Sequence, residues 1–374
     1  MIRNLLFLIC RGTHLRCTIF GTMGKNEEVR FDERYDKSRM IDTIDSFDDQ
    51  CHEAIKLGER FTFSPQGKID KVIVCGMGGS AMAGEIARRF AEVPIIVNRS
   101  YTLPGFVDKR TLLVAISYSG NTAETISSLK EGIDGGLQIL RIASGGKIMS
   151  IARENDIPFL QVPAGYQPRA ATGYLALPLL VVLSRLGLVE GAGEWDDMFG
   201  ALAKVKGSCT ASIATKENPA KELAHALHGR IPIIYGTADN TDLVAMRFKT
   251  QINENAKQPA YWNAFSELNH NEILALVRSD LLANQHIVLL KNSYDHPENM
   301  VRMEIMADLF DIHDVPHTDV AFEGETELAQ VFSQIYFGDY ASYYLALTNE
   351  LDPTPVELIE KFKVDLAKKT ADLS

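Results

Sequence analysis

The chain contains no run of about eighteen apolar residues, so no helix is expected to cross a bilayer, which takes roughly 20 such residues. It also lacks a basic excess: 38 Lys and Arg stand against 49 Asp and Glu, a formal net charge of −11. A nucleic-acid partner normally needs a basic stripe, and that class is set aside. An anionic small molecule is not, because the field of a site is local. Five cysteines, Cys10, Cys17, Cys51, Cys75 and Cys209, show no CxxC or other paired spacing. That usage fits a reducing cytoplasm better than a disulfide framework. Metal-ligand spacing is missing as well. There is no HxH or HExxH, and Pro316 separates His313 from His317 in "DIHDVPH", which argues against one shared helical face. No metal and no cofactor are expected. The opening "MIRNLLFLICRGTHLRCTIFGT" has too short an apolar run for a signal peptide and continues into Arg11, His14 and Arg16. Residues 1–39 are read as an N-terminal extension, partly disordered.

What is present is alternation. Short apolar runs ("KVIVCGM", "VPIIVN", "LLVAIS", "LQILRIAS", "PFLQVP") are separated by helical patterns, the signature of a doubly wound parallel sheet. A second series follows in "IPIIYGT", "HIVLLKN" and "HTDVAFEG". At 374 residues the length suits two such units. The fold class is therefore α/β, two tandem domains at 40–205 and 206–374, each a parallel sheet flanked by helices in a flavodoxin-like three-layer arrangement. The apolar stretch "GYLALPLLVVLSRLGL" and the aromatic-rich "IYFGDYASYYL" are read as core or interface helices.

Two turns stand out. "KVIVCGMGGSAMAGEIARRF" runs from a buried strand through Gly76, Gly78 and Gly79 to Ser80 at a helix start. "TLLVAISYSGNTAETISSL" repeats that grammar with Ser117, Ser119 and Thr122. In open parallel sheets ligands bind beyond the carboxyl ends of the strands, where free helix N–H groups favour an anion. Two such turns in one domain offer more donors than packing requires, and a phosphate has many acceptor sites. A dinucleotide is the weaker reading: the third glycine of GxGxxG is Ala81, and "VPIIVN" ends at Asn98 where an NAD site usually carries an acid.

The motifs "CGMGGSAMAGE", "SYSGNTAET", "VPAGYQPRAATGY" and "NENAKQPAYWNAFSELNHNEI" resemble the sugar isomerase (SIS) domain. In particular they resemble the bifunctional phosphoglucose/phosphomannose isomerases, over residues from about 40 to 370. The resemblance implies that Gly78, Gly79, Ser80, Ser117, Ser119 and Thr122 hold a substrate phosphate. It implies Arg169 beside a developing enediolate, Glu254 as the base, His270 and Lys361 in ring opening, and Thr354 near C2. Lys363 competes with Lys361 for that role. It further implies a homodimer, with the histidine supplied by the neighbouring subunit.

The chemistry is consistent with that transfer. Moving a carbonyl between C1 and C2 needs a base for a weakly acidic C–H, and a carboxylate desolvated beside substrate suits the task. An always-ionised planar arginine can meet the enediolate charge without a metal. Alternatives are a sugar-phosphate sensor without catalysis and another SIS enzyme. A sensor would need an output module, and no basic helix-turn-helix pattern precedes residue 71. An amidotransferase would need an N-terminal glutaminase domain.

Overall fold

A computed structural model describes residues 31–370. Helices α1 (Met40–Asp45) and α2 (Phe47–Arg60) lead into the first series: β1 (Lys71–Cys75), α3 (Gly79–Arg89), β2 (Ile95–Asn98), β3 (Thr111–Ile116), α4 (Ala123–Asp134), β4 (Gln138–Ala143), α5 (Lys147–Glu154) and β5 (Phe159–Gln161). Helices α6 (Thr172–Arg185), α7 (Trp195–Cys209) and α8 (Pro219–Leu227) connect to the second. This comprises β6 (Ile231–Thr237), α9 (Asp242–Asn255), β7 (Tyr261–Phe265), α10 (Ser279–Leu282), β8 (Gln285–Leu290), α11 (Pro297–Ile312) and β9 (His317–Val320). Helices α12 (Glu327–Thr348) and α13 (Glu357–Thr370) close the chain's described part.

Both sheets are wholly parallel, in the orders β2-β1-β3-β4-β5 and β7-β6-β8-β9. The chain steps outward from β1 to β2 and then crosses back to β3, so the winding reverses between β1 and β3. Helices leave these two neighbouring strands toward opposite faces, which opens a crevice at their carboxyl ends. The second sheet repeats the reversal between β6 and β8.

The period of two along each strand sorts its side chains between two cores. Val72, Val74, Leu112 and Val114 of the first sheet face one large core, which also receives Ile234, Val288 and Leu290 of the second. The alternate residues Ile73, Cys75, Leu113 and Ala115 face a separate cluster outside the first sheet. Tyr235, Ile287 and Leu289 do the same outside the second. Helices α6 and α12 fill the space between the sheets. Residues 172–183 and 328–348, apart from Phe337, are buried, and the aromatics Tyr336, Tyr340, Tyr343 and Tyr344 are core residues.

The expected division after residue 205 falls inside α7. Met198, Ala201, Leu202, Val205 and Cys209 keep one buried face through that point, so the helix runs on. Residues 1–30 of the expected N-terminal extension lie outside the described residues. Of the rest, Phe31 meets Tyr344 edge-on with ring centroids 5.3 Å apart. The Asp36 carboxylate accepts from the N–H groups of Met40 and Ile41 at 2.7 and 3.0 Å, satisfying donors that a helix start leaves open. Cys51, Cys75 and Cys209 are buried. Among the described residues no helix is long and apolar enough to cross a membrane.

Candidate active site

The two polar turns lie at the carboxyl ends of β1 and β3, on either side of the reversal. Gly78 enters α3 with φ of 51°, a backbone region that residues with a side chain rarely occupy. At Gly79 a Cβ atom would stand 2.8 Å from the carbonyl oxygen of Pro168, so only glycine lets α3 start against the turn that carries Arg169. Neither α3 nor α4 receives a side-chain cap at its N-terminus, which leaves backbone donors for an outside acceptor. The turns are stitched together. Ser80 Oγ accepts from the Tyr118 N–H at 3.2 Å, and the hydroxyls of Ser117 and Thr122 share a hydrogen bond of 2.8 Å. Ser119 is exposed at the crevice, with its Oγ accepting a long bond of 3.4 Å from the Asn121 N–H.

Beside them sits Arg169, only 3% exposed. Its Nε donates to Asn255 Oδ1 at 2.6 Å, and its Nη2 donates to the carbonyls of Pro353 and Thr354 at 2.8 and 2.9 Å. Nη1 reaches Glu254 Oε2 at 3.4 Å. Burial pushes the arginine pKa down, while the charges of Glu254 and Asp339 push it back up. Glu254, near the end of α9, keeps about a quarter of its side chain open, at 28% exposure. The Thr354 hydroxyl is buried and makes no hydrogen bond among the described residues. Arg169, Glu254 and Thr354, expected from three distant stretches of sequence, thus converge.

The layer underneath was missed by the sequence reading. Arg247 on α9 donates to both carboxylate oxygens of Asp339 on α12 at 2.9 Å and to the Arg169 carbonyl at 3.2 Å. Both side chains are nearly buried, at 2% and 9%. Burial raises the Asp339 pKa, with Arg247, Gln251 and Arg169 opposing. A signal was available: an aspartate within the otherwise apolar and aromatic "IYFGDYASYYL" must find a charged partner if that helix is buried.

Two expected residues stand apart from this cluster. His270 is exposed, at the end of a short turn of 3₁₀ helix, Glu267–His270. Lys361 lies on α13, which has no buried residue, and pairs with Asp365 at 2.5 Å; Lys363 is exposed on the same helix. Among the described residues no group of three or more His, Cys, Asp or Glu side chains is placed to hold a metal ion.

The corresponding crevice of the second half has different chemistry. Thr237, at the end of β6, donates to the carboxylate of Asp295 beyond β8. Arg89 of α3 pairs with Glu327 close by, and burial raises the pKa values of both acids. Carboxylates occupy the place where the first half presents donors.

A parallel sheet read twice, with one donor-rich crevice bordered by a buried arginine and a carboxylate, defines a phosphosugar-binding SIS protein. Residues 216–366 match the bacterial phospho-glucose isomerase C-terminal SIS domain. The chain is 39% identical over 336 residues to a bifunctional phosphoglucose/phosphomannose isomerase of Caldicellulosiruptor bescii, covering 88% of this chain and 99% of that one. It belongs to the bifunctional phosphoglucose/phosphomannose isomerase family. A D-glucosamine-6-phosphate 4-epimerase of Sulfolobus acidocaldarius is 35% identical over 54% of this chain and 63% of its own length. The fold is shared with a hypothetical protein of Thermus thermophilus, with 14% identity and a TM-score of 0.69, over 91% of this chain and 92% of that one.

Proposed function

We propose that the chain interconverts glucose 6-phosphate and mannose 6-phosphate with fructose 6-phosphate. The observation that carries this reading is the buried Arg169 guanidinium, 3.4 Å from the Glu254 carboxylate and packed behind the phosphate-binding turn through Gly79. The phosphate is held by backbone N–H groups at the starts of α3 and α4 and by the hydroxyls of Ser80, Ser117, Ser119 and Thr122. Ring opening moves the proton of the anomeric hydroxyl to the ring oxygen, and His270 and Lys361 serve that step. Glu254 then takes the C2 proton of the open aldose, leaving an enediolate whose negative oxygens face Arg169. The hydroxyl proton on O2 passes to O1, and return of the carbon-bound proton from Glu254 to C1 leaves the carbonyl at C2, which is the ketose. Glucose and mannose phosphates share this enediolate, so one base serves both, and the role near C2 goes to Thr354, whose carbonyl accepts from Arg169. The fixed guanidinium charge takes the part that a metal would otherwise play.

His270 is exposed and α13 has no buried residue, which supports a homodimer in which each site borrows His270 from the neighbouring subunit. Exposed Leu274, Val277 and Leu281, at 71%, 80% and 64%, form an apolar strip just beyond that histidine, as an interface core would. The absence of CxxC or other paired cysteine spacing supports a cytoplasmic location. The expected domains are retained at 40–205 and 206–374, with α7 bridging them.

Purified protein given fructose 6-phosphate is expected to yield both aldose phosphates, with and without a chelator. Glu254→Gln should bind substrate but no longer exchange its C2 proton with heavy water. Turnover that vanishes in chelator and returns with zinc, or a Glu254→Gln variant exchanging at the parental rate, would overturn the mechanism.

A further inference from the structure

Lys257 belongs to no role assigned so far. It stands two residues past the end of α9, the helix that carries Glu254, with φ of 52°. A left-handed residue at that position is ordinarily glycine, because a Cβ makes the conformation unfavourable. Here a lysine accepts it, and the turn brings its ammonium back over the helix end. Nζ donates to the carbonyls of Asn255, Asp352 and Pro353 at 3.1, 2.6 and 3.0 Å. The residue as a whole is exposed at the surface; only the ammonium end is turned inward. Pro353 shares its carbonyl between Lys257 and Arg169, and the next carbonyl, of Thr354, also accepts from Arg169. Two cations from different parts of the chain thus close on one three-residue strap, 352–354. That strap ends in Thr354, whose buried hydroxyl has no partner among the described residues.

We propose that Lys257 is a positioning residue that ties the 352–354 strap, and with it Thr354, to the end of the helix carrying Glu254. The inference rests on the isomerase reading above for its kinetic consequences, though not for its structural ones. A helix cap alone would need no side chain here, since glycine does that work better. The ammonium reaches across to a segment about a hundred residues on, next to Thr354. Charged groups face it from each element around it: Arg169 from the 168–170 turn, Glu254 from α9 and Asp352 from the strap. Desolvation, then the Arg169 charge, pushes its pKa down to about 8, with Asp352 and Glu254 opposing. Above that pH the amine is neutral and holds the carbonyls less strongly.

The test uses Lys257→Gly and Lys257→Arg in the full chain. Glycine favours the left-handed backbone, so Lys257→Gly is expected to melt at or above the parental temperature. Its Leu351, Asp352, Thr354 and Val356 amides should exchange with heavy water at least about tenfold faster, while α9 stays protected. Its kcat/KM should fall between about tenfold and a hundredfold, with the ratio of mannose to glucose phosphate turnover altered. Lys257→Arg should retain most of the activity and lose the fall in kcat/KM that the parent shows as pH rises through about 8. Parental amide exchange in the strap, or parental kcat/KM on both sugars with Lys257→Gly, overturns the inference. If the parent itself does not isomerise, the isomerase reading fails, and the amide-exchange comparison still decides whether Lys257 holds the strap.

Discussion

A guanidinium as buried as that of Arg169 must be met by atoms of the chain itself, and every one of its nitrogens is. Such an arginine is fixed in place before substrate arrives, as the proposed stabilisation of an enediolate requires. The hydroxyls of the phosphate turns are different, because Ser119 is exposed and Thr122 half-buried. Ser119→Ala and Thr122→Val are therefore expected to leave the fold intact and weaken substrate binding. Each lost hydrogen bond to a charged group is worth about 1.5–3 kcal/mol, or roughly ten- to 150-fold in KM. Steady-state kinetics would check this, and a large fall in kcat at unchanged KM would assign these side chains another role. Residues of this kind were legible in the sequence because their types are unusual where they stand: glycines and hydroxyls at the end of an apolar strand. Lys257 was not, since a lysine among polar neighbours reads as surface until its backbone angle and its carbonyl partners are seen.

Elements were legible where the apolar pattern was strong. Each quoted run became a strand, and the parallel order followed from the intervening helices. What the pattern could not show is how α9 is locked against α12. The Arg247–Asp339 pair does so, and its burial means that breaking it leaves a charge without a counter-ion or solvent. Asp339→Ala is expected to cost about 3–5 kcal/mol in stability and to loosen the Arg169 carbonyl that Arg247 supports. Denaturant unfolding would measure it. A double variant, Arg247→Met with Asp339→Leu, should recover most of that stability, because apolar replacement of both partners removes the stranded charge. A single variant as stable as the parent would mean that water reaches the pair. The expected boundary at 205/206 lies within α7, whose buried face is continuous across it.

At the scale of the whole molecule, the proposed sharing of His270 between subunits makes a prediction that single variants cannot. If each site combines Glu254 of one subunit with His270 of the other, a mixed dimer of Glu254→Gln and His270→Asn contains one intact site. Random reassociation makes half the dimers mixed, each with one of two sites intact, so activity should return to about a quarter of the parental value. If both residues serve the same chain, no mixture restores anything. Co-refolding the two inactive variants and assaying fructose 6-phosphate conversion decides between these outcomes. The large core between the two sheets carries a consequence of another kind, for biosynthesis. Helices α7 and α8 are complete by residue 227, yet α12, the long helix packed against both, ends at residue 348. At ribosomal rates of about 5–20 residues per second, that interval lasts roughly 6–24 seconds. Through it the nascent chain presents greasy, unsheathed surface, so the period of greatest need for a chaperone falls in the middle of synthesis, before the last long helix has left the ribosome.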